Sequence, residues 1–235
     1  MADLQPMPDI AISAEELRAF GQAWSQNGGS LSRTPPFSSI QLGSLIDAAV
    51  GNALAQMLGG IPIIQPNGNS LIPEKPDCVE VGSFRVVGGI RAQNFDAGYR
   101  PDGVRIAFDS KTLNDLKSVQ KNYQNMINDL GTEATTVHTR FPYAVVAFIV
   151  AVPTPCLSSP QKQGLTRTLE RLSLRNSPLN SVHRAEAISL VVWNPENGEI
   201  DINWPLMDSP LRIEKFSTYI HSAYTERYKG LPPHD

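Results

Sequence analysis

Asp102, Asp109 and Lys111 lie in one short stretch, PDGVRIAFDSK, and their side-chain types suit hydrolysis of a phosphate ester. Two carboxylates brought together offer the oxygen ligands that a hard cation such as Mg²⁺ takes. A lysine ammonium beside them can position or deprotonate a water and offset the charge that builds on the phosphate in the transition state. An acid two places before a lysine is a weak signal by itself: with seven lysines and 23 acidic residues, about 0.7 such pairs arise by chance. Asp115-Leu116-Lys117 is a second copy, set aside because it falls in a predicted helix, where residues two apart do not face each other. The setting of the first copy distinguishes it.

That setting is a strand entered through a turn. Arg100-Pro101-Asp102-Gly103 has a proline at the second turn position and a closing glycine, and it leads into the alternating run VRIAFDSK. Alternation puts Val104, Ile106 and Phe108 on one face and Arg105, Ala107, Asp109 and Lys111 on the other. Upstream, Leu42, Ile46, Val50, Ala53, Leu54 and Met57 recur at helical spacing before the stop Gly59-Gly60. A surface loop is expected at 61–77, then a strand over CVEVGSFRVVGGI bent at Gly82, then a strand near Phe95 to Tyr99. Downstream, the pattern predicts a helix over 112–130 stopped by Gly131, with Leu113, Leu116, Gln120, Tyr123, Ile127 and Leu130 on its stripe. YAVVAFIVAV reads as a buried strand, QKQGLTRTLERLSLR as a helix, AEAISLVVWN as another buried strand and FSTYIHSAYTERY as a last helix. The order implies an α/β fold in which an antiparallel meander feeds a parallel layer and helices flank the sheet. Residues 1–36, with a short helix capped by Ser13, read as an arm or linker, and 37–235 as one domain.

Pro101-Asp102 followed by Asp109-Ser110-Lys111, within that element order, resembles the PD-(D/E)XK nuclease superfamily, which includes many type II restriction endonucleases. The resemblance covers roughly residues 40–195 in element order and eleven residues in sequence. It implies a restriction-endonuclease-like mixed sheet, with Asp102 and Asp109 as metal ligands, the backbone carbonyl of Ser110 as a third, and Lys111 orienting the water. It also implies an accessory acid on the helix before the meander, for which Asp47 is the candidate, with Glu80 as its substitute. Gln120 and Tyr123 look like the Gln-x-x-x-Tyr motif of one nuclease branch, one residue short. Mg²⁺, with Mn²⁺ able to substitute, double-stranded DNA and a homodimer matched to two-fold DNA symmetry are the cofactor and partners that follow from the same resemblance.

Bland readings stand beside these. Pro-Asp-Gly makes turns without any further role for its aspartate, and Asp109 with Lys111 could be an exposed pair. Lys117, Lys121 and Gln124 share a helix face that could contact phosphates or simply meet solvent. The net charge of -3 argues against a protein that coats nucleic acid, although it leaves a nuclease open. Cys78 and Cys156 form neither a disulfide framework nor a zinc pattern, and no apolar run approaches membrane length, so a cytoplasmic protein is expected. The chain has no G-x-S-x-G elbow, phosphate-binding glycine loop or H-E-x-x-H pattern. The leading expectation is a metal-dependent DNA endonuclease. The alternatives are a non-catalytic nuclease-fold protein binding nucleic acid or a protein partner, and an antibacterial toxin nuclease.

Overall fold

The computed structural model describes residues 3–67, 70–179 and 181–234. Residues 68 and 69, in the loop expected at 61–77, lie outside them. The order is α1 (Ala14–Gln26), α2 (Ser39–Met57), β1 (Ile63–Ile64), β2 (Val79–Val87), β3 (Ala92–Tyr99), β4 (Ile106–Thr112), α3 (Val119–Arg140), β5 (Val145–Pro153), α4 (Ser159–Leu172), β6 (Ala187–Trp193) and α5 (Ile213–Tyr228). The six strands form one mixed sheet in sequence order. β2, β3 and β4 are an antiparallel meander, while β4, β5 and β6 run parallel.

The sheet is α/β because its parallel half is covered on both sides. All residues of β5 and β6 are buried, as continuous apolar strands under two helical layers must be. Phe108 of β4 meets Phe216 of α5 with ring centroids 6.2 Å apart. Ser110, on the same face, meets α2, where a side chain at Gly43 would come 3.2 Å from its Oγ. Lys111, on the opposite face, meets Glu133 of α3, so α2 and α5 line one side and α3 the other. The outer edge of β6 is closed by the chain that follows it, through Asp201 N to Val192 O and Leu190 N to Leu211 O, which leaves fewer free strand groups to pair with another chain.

α2 forms where its stripe predicts, with Leu42, Ile46, Val50, Ala53, Leu54 and Met57 buried. Ser38 and Gln41 close its start as a capping box. The register shift between Val81 and Phe84 falls at the bend expected at Gly82, whose φ is +120°. The N-terminal segment is not set apart from the body: Leu17, Phe20 and Trp24 of α1 are buried in the common hydrophobic cluster, and Trp24 Nε1 donates to Asn114 O at 2.6 Å.

The helix expected at 112–130 is displaced toward the C-terminus. Thr112 still belongs to β4, and the Asp115 carboxylate accepts from Lys117 N and Ser118 Oγ, holding a turn where the helix was expected to begin. Leu116 is therefore exposed. Gly131 does not stop α3, because Glu133, Ala134, Val137 and His138 beyond it are buried and hold the helix to the sheet. Among the described residues no helix is long and apolar enough to cross a membrane.

Candidate active site

β3 and β4 are paired from Tyr99↔Ile106 to Ala97↔Phe108, and there the ladder ends. The next positions in that register are Asp96 and Asp109. Where the strands part, the Ser110 amide donates to a side chain of β3, Asp96 Oδ2, at 3.3 Å. Asp96 and Asp109 also lie close enough for each to shift the other's titration. The Lys111 ammonium donates to Asp109 Oδ2 and, at 2.8 Å, to Glu133 Oε1. From the other face, Asp47 of α2 comes close to the Ser110 side chain, while its Oδ1 is buried with no hydrogen-bond partner among the described residues.

Five ionisable groups thus meet near the C-terminal end of β4, the end at which open α/β sheets place their ligands. Burial and neighbouring Asp96 push the Asp47 carboxyl up to about 7. Burial, together with Asp109, takes Asp96 to about 8. Asp109 rises to about 7 through burial and the Glu133 charge, against the opposing pull of Asp96 and Lys111. Burial also raises Glu133. Burial alone would lower Lys111, but Asp109 and Glu133 outweigh it and hold the ammonium above the ordinary lysine range. The cluster therefore keeps a positive lysine and holds protons on carboxyl groups that would be ionised in water.

The acidic side chains gathered here are oxygen donors, the kind that the hard cation implied by the resemblance would take. Asp47 Oδ1 is unpartnered, and the absent side chain at Gly43 leaves room beside Asp47 and Ser110. Asp96, Asp109 and Asp47 are the residues that would hold such a cation, and it would compete with protons for them. As arranged, no group of three His, Cys, Asp or Glu side chains among the described residues is set to hold a metal ion, and Lys111 neutralises part of the cluster.

Of the residues expected from sequence, Asp109, Ser110, Lys111 and Asp47 come together here, and Asp102 does not. Its carboxylate takes a two-pronged contact from Arg105, with Nε to Oδ1 at 2.8 Å and Nη2 to Oδ2 at 2.5 Å, and 62% of its side chain is exposed. It precedes β4, whereas Asp109 lies three positions into the strand, roughly 10 Å further along. With Arg140, Phe141 and Tyr228 it lines a separate cavity of about 370 Å³. Asp102 is a turn residue that orients Arg105. Glu80 is also elsewhere, paired with buried Arg100 at 2.6 and 2.8 Å. Gln120, Lys117 and Lys121 are exposed around the start of α3.

Asp96 and Glu133 were missed. Asp96 becomes legible only once the hairpin register is known: pairing Tyr99 with Ile106 sets Asp96 across from Asp109. Glu133 carried a fainter signal, an acid among Met126, Leu130, Ala134 and Val137 on the buried stripe of α3. No protein-family model matches the chain, and neither the curated proteins nor the solved structures contain a match.

Proposed function

We propose that this chain is a Mg²⁺-dependent DNA endonuclease with a restriction-endonuclease-like fold, in which Asp96 takes the place first expected of Asp102. The observation that carries the reading is the convergence of Asp96, Asp109 and Lys111 where β3 and β4 part. The element order supports it: a helix, a three-stranded meander, a helix and a parallel strand, with the Asp-Ser-Lys strand at the centre.

In the proposed reaction water adds to phosphorus, one P–O ester bond breaks, and the leaving oxygen takes up a proton. A bound divalent cation supplies Lewis acidity and a more acidic water. Asp96, Asp109 and, from α2, Asp47 are the residues that would hold that cation. Lys111 donates hydrogen bonds to the attacking water and to the phosphate oxygen as charge accumulates. Mn²⁺ fits the same all-oxygen donor set. Double-stranded DNA as substrate and a homodimer acting on its two strands complete the proposal.

A second reading is a non-catalytic nuclease-fold protein, favoured by the absence of a ready three-ligand arrangement among the described residues. One titration separates the two. Supercoiled plasmid is incubated with the protein in Mg²⁺ or Mn²⁺, and nicked or linear product is expected from the wild type. Lys111→Ala should slow cleavage by about 10²–10⁴-fold with DNA binding retained. Intact plasmid in both metals would favour the non-catalytic reading, and equal cleavage by Lys111→Ala would remove lysine from the mechanism.

A further inference from the structure

The acids of the cluster divide into two sets. Asp47 and Asp96 interact with each other and with Ser110, and both belong to the notch where the strands part. Glu133 comes from α3, on the face that carries Lys111, and its interactions are with Lys111, Asp109 and Asp129. Its side chain is 7% exposed, Lys111 is the cation that it meets through Oε1, and its Oε2 is buried with no hydrogen-bond partner among the described residues. A buried carboxylate without such a partner is costly, yet here one sits on an otherwise apolar helix stripe.

A lysine side chain has four rotatable carbons, and its ammonium must stay within hydrogen-bond reach of the attacking water to act on it. Asp109 cannot hold it alone once that carboxylate is committed to a cation. Glu133 is anchored on a 22-residue helix and remains to hold it. We propose that Glu133 is a positioning residue that fixes the Lys111 ammonium for hydrolysis and stands outside the metal-binding set. This assignment rests on the nuclease reading above.

The test compares Glu133→Gln, which keeps an oxygen acceptor for Lys111, with Glu133→Leu, which fills similar space without one. Single-turnover cleavage of plasmid is measured across DNA and Mg²⁺ concentrations, and Mn²⁺ binding is measured by calorimetry with Asp109→Asn as a reference. Glu133→Leu should lower the cleavage rate constant by about 100-fold, with the DNA and Mn²⁺ dissociation constants within about threefold of wild type. Glu133→Gln should recover all but about tenfold of the rate. Weakening of Mn²⁺ binding by more than about tenfold, as in a lost ligand, would make Glu133 a ligand and overturn the proposal. So would an unchanged cleavage rate in Glu133→Leu.

A separate readout needs no catalysis. In saturating Mg²⁺, where Asp109 is committed to the cation, the ¹⁵N-bound ammonium protons of Lys111, assigned with Lys111→Arg, should give a resolved NMR resonance in the wild type and in Glu133→Gln that Glu133→Leu loses. Should Glu133→Leu fail to fold, a resonance in Glu133→Gln as weak as that of solvent-exposed lysines would contradict the positioning role. Should wild-type protein leave plasmid intact in both metals, the nuclease reading falls, while persistence of the resonance in Glu133→Leu would independently sink the Lys111–Glu133 assignment.

Discussion

Asp47, Asp96 and Asp109 all bind protons more tightly in the folded chain than the ordinary value of 3.8, reaching about 7 to 8. Between roughly pH 4 and pH 8 the native state therefore holds protons that the unfolded chain has released. Stability contributed by these groups is present at the acidic end and falls as pH rises. Without divalent metal, the melting temperature should drop from pH 5.5 to pH 8, and Asp96→Asn should flatten that drop. Thermal unfolding in chelator checks it, and a wild-type profile that rises across the window would count against the cluster. Asp109 and Lys111 were legible because strand alternation puts them on one face. Asp96 is harder to see in the sequence, because Pro101-Asp102 carries the familiar dipeptide, while the pairing that places Asp96 opposite Asp109 depends on where the hairpin turns. Asp102 was drawn off by Arg105, a local ion pair that a count of acidic residues does not disclose.

At the scale of elements, the site depends on α2 lying close enough to the meander for Asp47 to reach Ser110. Gly51 sets that distance: a Cβ there would come 2.2 Å from Val81 Cγ2. Gly51→Ala should destabilise the fold by about 1–3 kcal/mol, the cost of overpacking, despite a helix-propensity gain of up to about 1 kcal/mol. Gly131 in α3 has no atom within 4 Å of such a Cβ, so Gly131→Ala should stabilise by about 0.5–1 kcal/mol. Urea unfolding of both variants tests the contrast, and equal shifts would contradict it. The same glycine shows why the boundaries of α3 were not legible. A glycine after an apolar stripe has the pattern of a helix stop, and only burial of Glu133, Ala134, Val137 and His138 against the sheet carries the helix onward. The buried strands, by contrast, were read closely, because a run such as YAVVAFIVAV has few other places to go.

Across the whole molecule, the far end of the sheet is tied by a second charged cluster with no part in the proposed chemistry. Glu186, buried just before β6, accepts from Arg175 at 3.0 Å, Arg227 at 2.8 Å and Val146 N at 2.8 Å, and bonds to His138 at 3.2 Å. These residues come from α3, the start of β5, the segment after α4, and α5, so one carboxylate joins most of the C-terminal half. Glu186→Gln would leave two buried guanidinium groups without a counter-charge, at a cost of about 3–5 kcal/mol. Its melting temperature should fall by roughly 10 °C, and a fall of only a degree or two would show the cluster to be dispensable. With structure and chemistry separated in this way between the two ends of the sheet, the central claim concerns which aspartate faces Asp109. The most direct measurement is the plasmid cleavage rate of Asp96→Asn beside that of Asp102→Asn in saturating Mg²⁺. Asp96→Asn should lose about 100-fold, as removal of a metal ligand does, and Asp102→Asn should stay within about threefold of wild type. Loss in Asp102→Asn with activity retained in Asp96→Asn would contradict the account.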